Sequence, residues 1–522
     1  MKIAFLTLGC KLNYAETSTY ERGFVQNGLE AVPWEEKADV YLINTCSVTE
    51  RAEKKCRNVI RKMHRVSPQA RIIVTGCYAE LRRAELQAIE GVALVFGAKE
   101  KSRVVADTMA LLNGEYDADG TVAGGGGVGS PVAARGHVSG WTAEGGTGRS
   151  AKRGWEAGGG GVGNPVAARG HVNGWTAEGG TGWSAKRGGE DDATTAGPDN
   201  ADAPGRLPEN RQTKPMSAAE YKEISKDTMA AFSSEERTRS FLKVQDGCNN
   251  FCAYCTVPYA RGNSRNIPIE EVLCQARRIA DSGIKEIVIT GVNTGDFGRT
   301  TGESFLDLLK RLDEVEGIER YRISSIEPNL ITEEIIDWIA SGTKFQPHFH
   351  IPLQSGSDEI LKRVGRRYTT DFFADRISYI RSVMDPKPDE TDKPYVFFGI
   401  DVIAGLPGET DELFEQTYSF LKDRVRPAFI HVFPYSRRPG TVAAGWKDQV
   451  KDSVKTERVA RLEALCAELH SEFIEKNSGR RSQVLWESDV KDGMMGGYTG
   501  NYIRVTKPYD PESVNRLEEI II

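Results

Sequence analysis

Two stretches of this chain alternate strand-like and helix-like patterns, and this alternation restricts the fold more than any other feature. In the first stretch, from Met1 to about Gly97, apolar runs are separated by helical patterns at about Ala15–Asn27, Glu50–Arg65 and Glu80–Ile89. The runs are Ile3–Leu8, Leu29–Val32, Val40–Asn44, Ile72–Thr75 and Ala93–Phe96. Because parallel strands need a crossover connection, the alternation predicts an α/β domain with a parallel sheet covered by helices.

The second stretch begins at Phe241 and contains six strand-like runs with helical patterns between them. The runs are Phe241–Gln245, Glu286–Asn293, Tyr321–Glu327, His348–Gln354, Phe397–Leu406 and Ile430–Tyr435. Six β/α units predict an open barrel instead of the closed barrel of eight. Asn293, Glu327 and Gln354 lie at the carboxyl ends of the runs, where such barrels bind ligands. Each of them is equally well explained as a polar residue that begins a loop.

The remaining segments differ in composition. Residues 114–214 are rich in Gly and Ala, and Gly124–Ala157 and Gly158–Asp191 are nearly identical copies. Such a segment buries too little apolar surface to offset its ordering entropy, so we expect a disordered insertion without catalytic residues. A long helical pattern, Lys451–Ser478, precedes a β-rich tail. The predicted domains are therefore 1–113, 114–214, 215–478 and 479–522.

The tail, residues 479–522, predicts a small β-barrel. Ser482–Glu487 and Tyr502–Val505 are strand-like, and we expect Gly496–Gly500 to form the turn between them.

Composition favours an enzyme of a reducing compartment. The chain has nine cysteines, an odd number without the spacing of a disulfide framework, and no apolar run of membrane-spanning length. We therefore expect a cytoplasmic protein without a membrane partner. The net charge of −6 excludes a generic polyanion binder, so any nucleic-acid surface must be a local basic patch. The Glu50–Arg65 helix, which is rich in Lys and Arg, is the best candidate.

Three cysteines, Cys248, Cys252 and Cys255, form a CxxxCxxC motif directly after a predicted strand. Three thiolates this close suit an iron–sulfur cluster, and a four-iron cluster with three protein ligands leaves one iron open for another ligand. Structural zinc is the alternative, but it needs a fourth ligand, and neither Cys274 nor His348 is near in sequence.

Three further cysteines, Cys10, Cys46 and Cys77, each follow a different predicted strand of the first stretch. The carboxyl ends of parallel strands lie along one edge of a sheet, so these cysteines predict a second three-thiolate site. Separate buried thiols are the alternative. The last three cysteines, Cys56, Cys274 and Cys466, fall inside helical patterns, and we expect them to be buried and structural.

The cysteine loop, with Tyr254 before its third cysteine, resembles the signature of radical S-adenosylmethionine (SAM) enzymes. With the motifs Gly9-Cys-Lys-Leu-Asn13, Asn44-Thr-Cys-Ser-Val-Thr49 and Gly76-Cys-Tyr-Ala-Glu80, the chain closely resembles the radical SAM methylthiotransferases. Further matching stretches are Val257-Pro-Tyr-Ala-Arg-Gly262, His350-Ile-Pro-Leu-Gln-Ser-Gly356, Gly399-Ile-Asp-Val-Ile403 and Tyr435-Ser-Arg-Arg-Pro-Gly-Thr441. The resemblance covers nearly everything except the insertion.

The resemblance implies two [4Fe-4S] clusters and two uses of SAM. The cluster of Cys248, Cys252 and Cys255 would bind SAM and cleave it reductively, giving a radical that takes hydrogen from an unactivated carbon. The open iron of a second cluster would carry the sulfur that is methylated and then inserted. That second cluster would be held by Cys10, Cys46 and Cys77. Further SAM contacts are expected from Tyr254, which belongs to the signature, and from the strand-end residues Asn293, Glu327 and Gln354.

The resemblance also implies partners and a substrate. The tail resembles a TRAM domain, a small RNA-binding barrel, so we expect the anticodon stem-loop of a tRNA as substrate, with a low-potential electron donor and a sulfur donor. The motifs Gly9–Asn13 and Tyr259–Arg265 are most like the MtaB type. That type converts N6-threonylcarbamoyladenosine beside the anticodon into its 2-methylthio form.

Other substrates and one other class of function stay open. Within the family, the alternatives are isopentenyladenosine in tRNA and an aspartate of a small-subunit ribosomal protein. The alternative of another class is a non-catalytic iron–sulfur electron carrier or RNA-binding scaffold. A carrier would hold its clusters with four cysteines each, and neither triplet has an obvious fourth ligand.

Overall fold

The computed structural model describes residues 1–115, 229–233, 238–299 and 301–522. The predicted insertion, residues 114–214, lies outside these ranges apart from Gly114 and Glu115, so its disorder stays a prediction. Within the described ranges, no helix combines the length and the apolar character that a membrane crossing requires.

The amino-terminal unit is a five-stranded parallel sheet, as the alternation predicts. Its strands are β1 (Lys2–Thr7), β2 (Glu30–Val32), β3 (Val40–Thr45), β4 (Arg71–Gly76) and β5 (Val92–Phe96). Their order is β2-β1-β3-β4-β5, and all pairings are parallel. The central strands β3 and β4 are almost wholly buried, because helices cover both faces, and this explains their continuous apolar runs.

Five helices accompany this sheet. They are α1 (Lys11–Gln26), α2 (Glu50–Val66), α3 (Cys77–Leu81), α4 (Arg83–Gln87) and α5 (Val104–Leu112). Helix α2 buries Cys56, Ile60 and Met63, which share one face, and the Thr49 side chain caps its start. The single helix predicted near residues 80–89 is wrong. The chain leaves helical geometry at Arg82, which separates α3 from α4.

The six predicted β/α units form two three-stranded parallel sheets. The strands of this region are β6 (Arg239–Lys243), β7 (Gln245–Asp246), β8 (Arg265–Asn266), β9 (Glu286–Thr290), β10 (Arg320–Ile323), β11 (His348–Gln354), β12 (Phe397–Ala404) and β13 (Phe429–Pro434). The sheet orders are β10-β9-β6 and β11-β12-β13, and a parallel bridge between Tyr321 and Phe345 joins the two. The described pairings leave β13 and β6 unjoined, so the open barrel is confirmed.

In the described part of the barrel region, the chain forms eight α-helices. They are α6 (Val257–Arg261), α7 (Ile269–Asp281), α8 (Phe305–Asp313), α9 (Glu333–Ala340), α10 (Asp358–Arg363), α11 (Thr370–Met384), α12 (Asp411–Ser419) and α13 (Asp452–Asn477). Four of them begin at a Ser or Thr whose side chain accepts a backbone N–H of the first turn, which defines where those helices start. These caps are Ser304, Thr332, Thr369 and Thr410.

The amino-terminal unit covers the open side of the barrel through α1. The ring of Tyr14 lies 6.4 Å from that of Phe241, and Ala15 packs with Phe241 and Val288. These contacts place α1 on the inner face of β6, the strand at the open edge. The interior of the barrel is therefore shared by the two units.

The carboxyl-terminal unit is an antiparallel half-barrel of four strands. They are β14 (Arg481–Lys491), β15 (Met494–Thr499), β16 (Arg504–Pro508) and β17 (Leu517–Ile521), in the order β16-β15-β14-β17. The predicted β-rich unit is confirmed, but the predicted turn at Gly496–Gly500 is wrong. Those glycines lie mostly within β15, where a side chain on Gly497 would clash with Val484 and Trp486. The turn is at Asp492 and Gly493, which both have positive φ.

This half-barrel docks on the amino ends of the barrel strands through buried arginines. Arg322 donates to the carbonyls of Thr499 and Gly500 at 2.8 and 2.7 Å, and to the Glu286 carboxylate at 2.8 Å. The ring of Tyr502 lies 4.8 Å from that of His348 at the start of β11. The long helix predicted over Lys451–Ser478 is confirmed as α13 and leads into this unit.

Replacement of Arg322 tests the docking. Arg322→Met leaves Glu286 and two carbonyls buried without this donor, and we expect a loss of about 3–5 kcal/mol in the free energy of unfolding. Arg311→Met is the matched control, because Arg311 pairs with Glu270 on the exposed surface and should cost less than about 1 kcal/mol. Urea titration compares them, and equal losses would contradict the docking role.

Candidate active site

The loop Cys248–Cys255 follows β6 and β7 at the carboxyl rim of the barrel, where the sequence predicts it. Gly247 precedes the first cysteine with φ +72°, and a side chain there would clash with the Asn263 carbonyl. Only glycine tolerates both conditions. Two backbone N–H groups donate to thiol sulfurs, from Asn250 to Cys248 at 3.5 Å and from Val257 to Cys255 at 3.4 Å. Such donors favour negative charge on sulfur.

The three thiols share a partly buried site. Burial, with Cys252 and Glu327 nearby, raises the pKa of Cys248 to about 12, and burial beside Cys252 also raises the pKa of Cys255. Thiols in such surroundings keep their protons unless a metal ion replaces them. The donor set of three sulfurs on one loop, with N–H support for two of them, fits an iron–sulfur cluster.

Cys10, Cys46 and Cys77 lie at the ends of β1, β3 and β4, which are adjacent in the sheet. The structure therefore brings these distant cysteines together. Burial raises the pKa of Cys46, and the nearby thiols of Cys77 and Cys10 raise it further. Gly76 has φ +103°, and a side chain there would clash with the Thr45 carbonyl, so glycine permits the close approach of these strand ends.

The two cysteine triplets are connected through a contact between two helices. Helix α3 begins at Cys77, helix α6 begins two residues after Cys255, and the two helices pack together. Arg261 at the end of α6 reaches the amino-terminal unit, where it donates to the Asn13 side chain at 2.7 Å. Asn13 in turn accepts from the Cys10 thiol at 3.4 Å.

A buried ionic cluster lies between the two triplets. Glu16 and Asp246 are its carboxylates, and both bind Lys101, Lys243 and Arg261 at 2.8–3.2 Å. Burial alone would raise the pKa of Asp246, but the surrounding cations, Lys101 first, hold it well below its usual range. Asp246 is two residues from Cys248, and Glu16 is on the helix that Cys10 begins. The cluster therefore fixes one triplet relative to the other.

Three of the predicted SAM-contact residues lie at or shortly after the carboxyl ends of barrel strands, and the fourth, Tyr254, belongs to the cysteine loop. The side-chain oxygen of Asn293 accepts from the Glu327 backbone N–H at 3.3 Å, while its Nδ2 has no partner in the described part of the chain. Glu327 binds Arg366 at 2.6 Å. Gln354 ends β11 after an irregularity in the pairing and has φ +73°, a strained geometry for a residue with a side chain. Tyr254 packs in an apolar cluster with Leu406.

Two arginines of the site were not found from the sequence. Arg366 donates to the Cys252 sulfur at 3.6 Å and to Glu327, and it is nearly inaccessible to solvent. Arg261 contacts the opposite triplet as described above. Neither has a spacing signal of its own. Arg261 lies in a motif that carries the family resemblance, Val257–Gly262, which was the one available hint.

A third polar group lines the barrel interior below the rim. His350 Nε2 lies 2.7 Å from Asp401 Oδ1, and the rings of His350 and His431 are parallel with centroids 5.0 Å apart. These residues come from β11, β12 and β13. Burial would raise the pKa of Asp401, but His350 holds it below its usual range, with a smaller contribution from the charge of Lys11, the first residue of α1.

The remaining cysteines follow the prediction in two of three cases. Cys56 and Cys466 are buried, whereas Cys274 is exposed, so its predicted burial is wrong. The neighbours Val272 and Leu273 face the core from α7, and Cys274 falls on the outer side of that helix.

Comparisons with known proteins agree with this geometry. Residues 2–97 match the family described as Uncharacterized protein family UPF0004, and residues 242–421 match the Radical SAM superfamily. The threonylcarbamoyladenosine tRNA methylthiotransferase MtaB of Bacillus subtilis strain 168 is 34% identical, over 100% of this chain and 93% of its own length. A tRNA-2-methylthio-N(6)-dimethylallyladenosine synthase of Desulfitobacterium hafniense strain Y51 is 32% identical, over 55% of this chain and 63% of its own length.

A solved structure shares the fold. The radical S-adenosylmethionine methyltransferase TsrM of Kitasatospora setae aligns with a TM-score of 0.50 at 11% identity, covering 84% of this chain and 75% of that one. The match to the Radical SAM superfamily, together with the barrel, makes the chain a radical SAM enzyme with an additional amino-terminal sheet. The chain belongs to the radical SAM methylthiotransferases of the MtaB type. Membership implies SAM and a [4Fe-4S] cluster as cofactors.

The buried histidines predict acid sensitivity. Burial lowers the pKa of His431 to about 3 and holds that of His348 well below its usual range. Below pH 6.5 the unfolded chain binds protons that the folded chain refuses, so the free energy of unfolding should fall as pH decreases. Each histidine contributes up to about 1.4 kcal/mol per pH unit. Urea titrations between pH 7 and 5 should show a smaller loss for His431→Phe than for the wild type; the same slope in both would contradict this.

Proposed function

We propose that this enzyme converts N6-threonylcarbamoyladenosine next to a tRNA anticodon into its 2-methylthio derivative, using two SAM molecules and two [4Fe-4S] clusters. The observation that carries the proposal is the α3–α6 contact, which joins the helix that begins at Cys77 to the helix that begins two residues after Cys255. The methylthiotransferase of B. subtilis whose name specifies this nucleoside is similar over the full chain, which supports the choice of substrate.

The amino-terminal triplet fits a second cluster. Cys10, Cys46 and Cys77 come from three neighbouring strand ends. After burial, the thiols of Cys77 and Cys10 raise the pKa of Cys46 further, and the thiol of Cys10 contributes to the raised pKa of Cys77. Cys10 and Cys77 also stand at the starts of α1 and α3, where the helix dipole favours a thiolate. The guanidinium of Arg261 is a further counter-charge, since it lowers the pKa of Cys77 against the effect of burial.

The residues of the barrel rim would hold SAM and its cluster. Cys248, Cys252 and Cys255 would bind the iron, and SAM there supplies abstraction of hydrogen from an unactivated carbon, a step beyond side-chain acids and bases. Among the described residues, Asn293 Nδ2 and Ser324 Oγ are buried polar atoms without a hydrogen-bond partner, and a bound cofactor would satisfy them. Arg366 holds Glu327 in place and offers positive charge to the sulfur of Cys252.

Tyr254 and Gln354 complete the proposed SAM site. Tyr254 precedes the third cysteine and stands between the loop and the apolar cluster around Leu406, so its ring can form one wall. The pairing of β11 with β12 holds Gln354 in its strained backbone conformation. Strained residues that are held in this way occur often at ligand-binding sites.

An RNA surface is proposed on α2 and on the carboxyl-terminal half-barrel, which resembles a TRAM domain. Six basic residues of α2 are exposed to solvent and would attract phosphates, namely Arg51, Lys54, Lys55, Arg61, Lys62 and Arg65. Arg57, by contrast, is engaged with Tyr78 and Glu85 within the unit. Helix α2 begins four residues after Cys46, so RNA bound to it would lie beside the sulfur-carrying site. A low-potential electron donor and a sulfur donor are the other proposed partners.

Iron content tests the second cluster. With Cys10, Cys46 and Cys77 all changed to Ala, we expect about half of the iron and sulfide of the reconstituted wild type, because one of two similar clusters is lost. This variant should still cleave SAM to 5′-deoxyadenosine. Cys274→Ala and Cys466→Ala are the controls and should keep all of the iron. Full iron in the triple variant would remove the second cluster from the proposal.

The substrate is tested by the nucleosides of tRNA. Deletion of the gene should abolish 2-methylthio-N6-threonylcarbamoyladenosine and leave its unthiolated precursor, as measured by mass spectrometry of digested tRNA. Restoration by the wild type, and not by Cys248→Ala, ties the product to the barrel rim. Loss of the dimethylallyl product instead would move the proposal to the other substrate.

A further inference from the structure

The amino-terminal unit contacts the open barrel at both of its edge strands. At the β6 edge, α1 packs on Phe241, and the ionic cluster joins Glu16 to Asp246 through Lys101. At the β13 edge, residues 436–438, which follow the strand, contact the loop between β3 and α2 and the first turns of α2. The loop at the β13 edge is the one that carries Cys46, so this second contact bears on the amino-terminal triplet.

Arg438 is at the centre of the contact at the β13 edge. Its Nη2 donates to the Ser47 hydroxyl at 3.3 Å and also to the Glu53 carboxylate. Ser47 donates to the same carboxylate oxygen at 2.5 Å. The three residues are buried, with exposed fractions of 3%, 1% and 7% for Arg438, Ser47 and Glu53. Because a buried charge without its partner is costly, this arrangement holds all three side chains in defined positions.

Ser47 directly follows Cys46 on a short irregular loop. Residues 46–49 belong to neither β3 nor α2, so contacts of their side chains determine how the loop runs. Thr49 is held as the cap of α2, and Ser47 is held by Glu53 and Arg438. A change in the position of Ser47 is therefore passed directly to Cys46.

The barrel segment that carries Arg438 also contacts the loop of the other triplet. The Arg438 carbonyl accepts from the backbone N–H and the hydroxyl of Thr441, at 3.1 and 2.7 Å, which closes a tight turn. Directly after this turn, the Ala443 N–H donates to the Ala253 carbonyl at 2.8 Å. Ala253 is the residue after Cys252. This short segment thus contacts the cysteine loops of both triplets.

We propose that Arg438 is a positioning residue for sulfur insertion, which holds the Cys46 loop in place relative to the Cys252 loop. This inference rests on the proposed function, because it requires a cluster at each triplet. Insertion needs the sulfur and the radical at one carbon of the substrate, and a misplacement of about 1 Å can lower the rate of such a step about 100-fold. Formation of the radical needs only the barrel rim, so it does not depend on Arg438.

The first test measures the magnetic interaction between the two clusters. The reconstituted full-length enzyme is reduced with dithionite in the absence of RNA, and its electron paramagnetic resonance spectrum is recorded. Two paramagnetic clusters broaden each other's signal, to an extent that depends steeply on their separation. Arg438→Met should keep the iron content of the wild type, because all six cysteines are present, but should change this broadening. The variant with Cys10, Cys46 and Cys77 changed to Ala gives the spectrum of the barrel cluster alone as the reference.

The second test compares SAM cleavage with product formation on an anticodon stem-loop RNA that carries N6-threonylcarbamoyladenosine. Arg438→Met should form 5′-deoxyadenosine at the rate of the wild type, because the contact of Ala443 with Ala253 uses backbone atoms and is retained. The methylthio product should fall about 10- to 100-fold, so the number of 5′-deoxyadenosine molecules per product should rise by the same factor. Arg438→Lys, which keeps a charge beside Glu53, should recover most of the product.

Matched variants separate positioning from stability. Arg437→Met changes the neighbouring arginine, which is exposed and donates to the Ala444 carbonyl within the barrel, and it should keep the wild-type spectrum. Glu53→Gln should reproduce the spectral change of Arg438→Met, and the double variant should show no further change, because both substitutions remove the same contact. If Arg438→Met does not fold, the milder variant Glu53→Gln decides in the same way.

Two results would overturn the role of Arg438. One is a loss of iron from Arg438→Met, which would mean that the arginine is needed to build the amino-terminal cluster and not to position it. The other is a wild-type spectrum together with a wild-type ratio of 5′-deoxyadenosine to product in both Arg438→Met and Glu53→Gln.

This proposal and the proposed function can fail separately. If the wild type forms the expected product and Arg438→Met matches it in spectrum and ratio, only the role of Arg438 is wrong. If the wild type methylthiolates a dimethylallyladenosine stem-loop instead, the proposed substrate is wrong, and the spectra still decide the role of Arg438. A wild type with the iron of a single cluster would contradict both proposals.

Discussion

The buried ionic cluster of Glu16, Asp246, Lys101, Lys243 and Arg261 is the interaction on which the site depends. Charges removed from water are stabilised only when their geometry is complete, so losing one partner is far more costly than losing a surface pair. Such a cluster is satisfied in one relative placement of the two units. Because it lies between the helix that follows Cys10 and the loop that begins at Cys248, that placement also fixes the distance between the two triplets.

The first turns of α1 contain several of the contacts between the amino-terminal unit and the barrel. Cys10 belongs to the amino-terminal triplet, and the charge of Lys11 acts on Asp401 of the barrel. Asn13 binds Arg261, Tyr14 packs on Phe241, and Glu16 enters the ionic cluster. The side chains of successive helix residues point in different directions, so one helix can contact several partners at once. A shift of this helix would change all five contacts together.

The sequence was sufficient for the architecture and for the position of the six cysteines, because strand–helix alternation and strand-end location follow from local patterns. Cys10, Cys46 and Cys77 could be grouped without knowing the strand order, since all parallel strands end at the same edge. Arg261 and Arg366 could not be found in this way: each acts through groups that are distant in sequence, and a single arginine has no periodicity. The turn predicted from the glycines of β15 was also wrong because of contacts distant in sequence. These glycines are required by packing against the neighbouring strand and not by a turn.

Cys274 shows a further limit of local reasoning. A cysteine among Val272, Leu273 and Ala276 reads as core, yet a one-residue step around a helix moves a side chain by about 100° and is enough to expose it. Hydrophobic neighbours therefore predict that one face of a helix is buried. They do not show whether a particular residue lies on that face.

The docking of the half-barrel determines how far this unit lies from the cysteine loop. It covers the amino ends of the strands, whereas the cysteine loop lies beyond their carboxyl ends, so the two are separated by about the length of β11, roughly 23 Å for its seven residues. An RNA that binds the half-barrel and also reaches the cysteine loop must extend along the outside of the barrel. The distance between the target base and the RNA segment bound by the half-barrel would then help to determine which nucleotide the enzyme modifies.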